Sequence, residues 1–273
     1  MRSGLRLVPA AAALLCAGTL VAAEKGSALS PQEIKSAIIV EEVALPTPGE
    51  FFAAINKLDR PNWSQLVGTS GPLSTTSRAQ ASLNLGTRVA DGYIAVEAQD
   101  GQQVKNVGKD IIELSKGLGV SQSILARGNS IGDFAENNDW SALKEELEAT
   151  ENEVKMQMSA QKDDELVILV TIGAWLRGLQ TAADVVAANY QPEAAALLRQ
   201  PAIVDILVSR IDALPDRLKN EELVGKVQGG LLEIKAAVAP AAPPGADTVK
   251  SLQHTTKQLV DAICGPAAPA PAQ

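Results

Sequence analysis

The sequence predicts an all-α protein, a multi-helix and mostly antiparallel bundle around one central apolar helix at about 164–189. Three observations carry that prediction. Apolar residues recur at alternating steps of four and three over long stretches, as they do along one stripe of an α-helix. The chain is 46% hydrophobic but only 3% aromatic, which suits close helix packing better than sheets. Finally, Leu166 to Val170 with Ile172, Trp175 and Leu176 is apolar on every side, the mark of a helix enclosed by others.

The N-terminus reads as an export address. Arg2 and Arg6 precede an apolar core from Leu7 to Leu15, and Val21-Ala22-Ala23 supplies small residues ahead of Glu24. That is the order of a cleavable signal peptide spanning 1–23, with cleavage after Ala23. A retained membrane anchor would need about 20 apolar residues, more than this core has. Lipid attachment at Cys16 is disfavoured because Leu15, not a small residue, stands before it. The expected location is periplasmic or extracellular, with no membrane span after cleavage.

Residues 24–73 are expected to form an N-terminal helical cap. Ser30-Pro31-Gln32-Glu33 combines a capping serine, a proline at the first helical position and a glutamate able to bond back to the cap. This helix should run to about Val43 and stop before Pro46-Thr47-Pro48-Gly49. A second, from about Glu50 to Leu58, carries Phe51, Phe52 and Ile55. Asn62 to Val67 reads as a short helical turn capped by the asparagine, and Thr69 to Leu73 as a loop.

From Ser74 the helical seams become regular. Ala79, Leu83, Gly86, Ala90 and Tyr93 form one; Val104, Val107, Ile111, Leu114 and Leu118 form the next; Trp140, Leu143, Leu147, Thr150 and Val154 form a third. Val224 to Val238 and Val249 to Ile263 repeat the spacing, which implies helices packed at shallow angles. The connections at Gln99–Gln102 and Gly117–Gln122 are short enough for helical hairpins. In the central helix eleven residues pass before Arg177 interrupts, too few for a bilayer span. Pro192 and Pro201 divide the next stretch into helices at Glu193–Arg199 and Ala202–Leu214. The bundle domain is thus 24–238, followed by a Pro/Ala linker at 239–246, an appended C-terminal helix at 247–264 and a disordered tail at 265–273. One internal echo stands out: Leu85-Gly86 with Asp91-Gly92 is matched by Ile172-Gly173 with Arg177-Gly178.

Charge and cysteine content exclude several functions. The formal charge is −8, and loss of Arg2 and Arg6 with the signal peptide makes it −10. No concentrated basic surface is visible, so nucleic acid is not an expected partner. Cys264 is the only cysteine left after cleavage, so no intramolecular disulfide can form. It reads as a small apolar residue closing the last helix, with an intermolecular disulfide as the sharper alternative. His254 is the single histidine, ten residues from Cys264 and on another face of the same helix. Zinc, haem and iron–sulfur sites therefore lack ligands. Asp133, Glu136, Asn137, Asn138 and Asp139 lie close together but miss the calcium-loop spacing, and read as a capped turn between helices. No nucleophile elbow or phosphate-cradling glycine loop occurs. No metal, cofactor or catalytic residue is expected.

Three groups of residues remain as candidate sites. The glycine pairs suggest close backbone approach of two helices; alternatively they clear a ligand pocket at Tyr93, Gly173, Trp175 and Arg177. Asp91, Arg177 and Asp184 are candidates for a buried ion pair, Arg177 turning either to Asp91 or to Asp184 two turns along its own helix. The segment from Asp139 to Glu165 holds nine carboxylates against three lysines. Glu145, Glu146, Glu148, Glu151 and Glu153 are its candidate docking face for a basic partner, although such charge runs usually only solvate. Three functions follow in order: a non-enzymatic interaction or scaffold module of a bacterial periplasm or envelope, a binding protein for a small apolar or amphipathic molecule, and last a carboxylate-based hydrolase.

Overall fold

The computed structural model describes residues 39–40, 43–44, 47–58, 61–68, 73 and 75–265. The expected signal peptide 1–23, most of the helix expected over Ser30–Val43, nearly all of the loop expected at Thr69–Leu73 and the expected tail beyond Gly265 lie outside the described residues. At the end of the first expected helix, Ile39–Val40 (β1) and Val43–Ala44 (β2) pair antiparallel instead. This corrects the helical reading there: Ile39, Val40 and Val43 are β-branched and favour extended backbone.

The other regular elements among the described residues are helices. α1 spans Pro48–Ile55 and α2 Trp63–Leu66. Four long helices follow: α3 (Arg78–Glu97), α4 (Gly101–Leu118), α5 (Ser121–Glu136) and α6 (Trp140–Ala160). The central helix is α7, Asp164–Ala188. After it come α8 (Pro192–Ala195), which runs into a 3₁₀ turn at Ala196–Leu198, then α9 (Pro201–Asp212), α10 (Asp216–Lys219), α11 (Glu222–Val238) and α12 (Ala246–Cys264).

Local chemistry fixes the ends. Thr47 and Glu50 form a reciprocal capping box with Pro48 in the first helical turn, so α1 starts two residues before the expected Glu50. Replacing Thr47 with alanine should cost about 1 kcal/mol in urea denaturation. Asn62 occupies the cap position of α2 but makes no side-chain cap bond, contrary to its expected role. Three hairpins use one turn: Gln99, Asn138 and Lys162 adopt φ of 55°, 55° and 62°. The aspartate after each (Asp100, Asp139 and Asp163) donates its backbone N–H five residues back, to Ala95, Phe134 and Met158, in the Schellman pattern. Asp100 and Asp139 then cap the next helix, accepting from Gln103 N at 2.9 Å and Ala142 N at 3.1 Å.

The helices form two four-membered groups. α3, α4, α5 and α6 pack in sequence as antiparallel neighbours, and α6 closes back onto α3. In the second group α7, α9, α11 and α12 do the same, with α12 closing onto α7. α12 is therefore a full wall of its group and not an appendage; Val249, Leu252, Leu259 and Ile263 are buried. By length and composition α7 could cross a membrane, but in this fold most of it is buried beneath neighbouring helices.

The groups meet along α3 and α7, which run parallel. Arg78 pairs with Asp163 at one end, Gly86 lies on Val170 and Ala174 in the middle, and Asp91 meets Arg177 further along. The crossing is reciprocal. A Cβ on Gly86 would collide with the carbonyl oxygen of Val170, and one on Gly173 with that of Leu83. Each of those carbonyls lies three residues before the partner glycine. Gly92 and Gly178 do not join this contact; they face Leu147 and Phe51 side chains.

Candidate functional site

Among the described residues, two concave places draw on several helices. The first is a polar cleft of about 610 Å³. Arg88 and Asp91 of α3, Arg177, Gln180 and Asp184 of α7, Lys257, Asp261 and Cys264 of α12, and the Gln65–Gly68 segment line it. At its base Asp91 serves two guanidinium groups. Its Oδ1 accepts from Arg177 Nε at 2.7 Å and its Oδ2 from Arg88 Nη1 at 3.1 Å. Arg88 Nε also lies 3.5 Å from Asp110 Oδ2. Arg177 then donates to Gln180 Oε1 at 3.2 Å, Thr181 Oγ1 at 3.4 Å and the Leu66 carbonyl at 2.9 Å. Two cations and two carboxylates thus neutralise one another, and Arg177 ties α2 to the bundle. Arg88, Asp91 and Arg177 are all buried.

At the cleft rim, Asp184 accepts from Gln253 Nε2 at 2.8 Å and does not bond to Arg177. Burial raises its proton affinity, partly offset by that hydrogen bond and by the charge of Arg177. Cys264 Sγ lies 3.5 Å from Thr87 Oγ1, and burial pushes its thiol up, away from the reactive thiolate.

The second place is a slot of about 50 Å³ between α1, α6, α7 and α9. Phe51, Phe52, Ala174, Trp175, Gly178, Ile203 and Leu207 make it apolar, while Glu148, Glu151, Asn152 and Lys155 of α6 supply its polar wall. Gly178 matters here, because a Cβ would stand 2.9 Å from Phe51 Cδ1 and displace the ring. Trp175 is fixed by donating Nε1–H to Gln200 Oε1 at 3.1 Å. Glu151 is buried and pairs with Lys155 at 2.5 Å. Glu148 is half-buried, and its carboxyl is pushed up by burial first, then by the negative charges of Glu151, Glu50 and Glu145.

The structure separates the four residues of the expected ligand pocket. Gly173 is filled by the backbone of α3, so no ligand space opens there. Tyr93 stacks on Phe52 at 5.7 Å, nearly parallel, and its hydroxyl lies 3.5 Å from the Lys144 carbonyl oxygen. Burial and the nearby Glu151 and Glu148 push its phenol up. Trp175 lines the slot, whereas Arg177 turns to Asp91 in the cleft. The acidic segment is also not one exposed face. Of its five candidate docking carboxylates only Glu145 is exposed; Glu146 pairs with Arg127 of α5, Glu153 accepts from Gln157, and Glu148 and Glu151 turn into the slot. Helix geometry explains the split, since 145, 148 and 151 follow one another at steps of three along one side of α6, with 145 at its outer edge, while 146 and 153 lie on another side.

His254 is exposed on α12. Among the described residues no group of three or more His, Cys, Asp or Glu is placed to hold a metal ion. Arg88 and Asp110 were not anticipated, although Arg88 stands three residues before Asp91 on the same helix, a spacing at which side chains meet.

No family model, curated protein or solved structure matches this chain.

Proposed function

We propose that the chain is an exported, non-enzymatic interaction module that docks a basic partner on the surface formed by α1 and the Glu145–Glu148–Glu151 side of α6. The observation that carries this reading is Glu148, a half-buried carboxylate among Glu50, Glu145 and Glu151, at the mouth of an apolar slot. A partner cation arriving there would relieve like-charge repulsion that the folded chain tolerates alone. The basic n-region, apolar core and small residues of 1–23 support export.

A hydrolase is less well supported. Glu148 and Glu151 stand on one helix wall, Glu151 already has Lys155, and about 50 Å³ does not admit a sugar ring between facing carboxylates. A small polar ligand in the larger cleft is the second reading, favoured by its 610 Å³, within the range of about 300–1,000 Å³ usual for ligand pockets.

The test is titration of the ¹⁵N-labelled protein with an eight-residue oligolysine at low salt. Amide shifts should concentrate on α1 and α6 and fade at 0.5 M salt, and Glu145→Lys/Glu148→Lys should abolish them. Shifts spread evenly over all acidic surfaces, or centred on the cleft, would overturn the proposal.

A further inference from the structure

Within that docking surface, which rests on the reading above, we propose that the slot between α1, α6, α7 and α9 is an anchor pocket for one lysine side chain of the basic partner. Its aliphatic stem would lie between Phe51 and Trp175, and its ammonium would reach Glu148.

Size sets the class of occupant. A water-sized position takes about 10–15 Å³ of such volume, so 50 Å³ accommodates roughly three to five heavy atoms. That excludes a drug-sized ligand and matches the butylammonium end of lysine, which has five. The propylguanidinium of arginine has seven and is planar, a poorer fit.

Chemistry selects within that size. The inner walls, Phe51, Trp175, Gly178 and Leu207, favour a hydrocarbon stem. The mouth favours a cation: Lys155 already serves Glu151 at 2.5 Å and Lys144 serves Glu97 at 2.5 Å, so the local lysines are committed elsewhere. Glu148 faces acidic neighbours in Glu50, Glu145 and Glu151, so an added ammonium there relieves their repulsion. A side chain seated in an apolar pocket with its charge met at the mouth has the form of an interface hot spot. A second copy of this chain is a poor donor, because the mature protein carries about ten excess negative charges and would repel itself.

The experiment follows Trp175 indole and Gly178 amide signals while n-butylammonium, n-propylguanidinium, n-butanol and butyrate are added separately to the full mature protein. Butylammonium should shift both signals with saturation in the millimolar range, at least five-fold more tightly than the guanidinium, and butanol and butyrate should not saturate. Glu148→Gln should weaken butylammonium at least five-fold yet raise the melting temperature near pH 7. The sign follows from linkage: a carboxyl whose affinity for protons is raised by folding destabilises the native state above its folded pKa, and glutamine removes that cost.

Equal effects of butanol and butylammonium would make the slot a general apolar pocket and overturn the lysine assignment. So would Glu148→Gln that leaves butylammonium binding unchanged. A concentration-dependent dimer dissolved by butylammonium would place a second copy in the slot and overturn the basic partner as occupant. If oligolysine footprints α6 while butylammonium leaves Trp175 and Gly178 unmoved, the anchor fails and the docking surface stands; if neither acts, both fail.

Discussion

Replacing Asp91 with alanine should destabilise the protein by about 3–5 kcal/mol, a large part of the roughly 5–15 kcal/mol that holds a typical domain folded. Asp91 is the shared acceptor of two buried guanidinium groups, at 2.7 Å from Arg177 and 3.1 Å from Arg88. With Asp110 the four groups balance; without Asp91 the cluster holds one uncompensated buried positive charge. Neither arginine can escape to water without releasing other contacts. Arg177 would abandon the Leu66 carbonyl, and Arg88, only 3% exposed, is enclosed beside α4. Most of the loss therefore comes from the stranded charge, not from the missing bonds. That distinction is testable in urea denaturation. Adding Arg177→Met to Asp91→Ala restores the balance and should recover at least 1–2 kcal/mol, since an apolar replacement of a buried pair is often neutral. A double variant less stable than Asp91→Ala alone would show that the bonds of Arg177 to α2, and not its charge, dominate.

The buried network shows where sequence reasoning reaches and where it stops. That Asp91 and Arg177 belong together was legible, because each precedes a glycine in an otherwise apolar helix and an isolated charge there needs a partner. Arg88 was written at a spacing of three from Asp91, but its partner Asp110 lies on another helix, and no local rule selects it over Glu113, the other acid of α4. The helices themselves were readable for the same reason: period and caps are local properties. The α1 start is legible in the same way, since Thr47-Pro48-Gly49-Glu50 carries the same signature as Ser30-Pro31-Gln32-Glu33. The slot was not legible, because its walls come from four helices and its volume depends on how closely Phe51 approaches Gly178. Nor could the seams reveal that α3 and α7 run parallel. A heptad-like stripe has no arrow, and direction is fixed only when Gly86 finds Val170 and Gly173 finds Leu83.

That reciprocal contact carries the second large expected effect. Gly86→Ala and Gly173→Ala should each cost about 2–3 kcal/mol, although alanine is favoured over glycine in a helix by about 1 kcal/mol. The reason is what the new methyl meets. At Gly230 it would meet Leu259, and at Gly128 the Cδ1 of Ile112, side chains that can turn aside. At Gly86 and Gly173 it meets backbone carbonyls, which move only if α3 and α7 separate along their shared seam. Separation loosens packing around Leu83, Ala90, Val170 and Leu176, all buried. Gly229→Ala is the internal control: that position lies within α11, is exposed and has nothing within 4 Å of a built Cβ, so alanine should add about 0.5–1 kcal/mol. The double variant Gly86→Ala/Gly173→Ala separates two mechanisms. If one outward movement of the helices relieves both collisions, the double should cost clearly less than the sum of the singles. Additive losses would mean that each site yields by its own local distortion, and that the crossing is two independent contacts that happen to face each other.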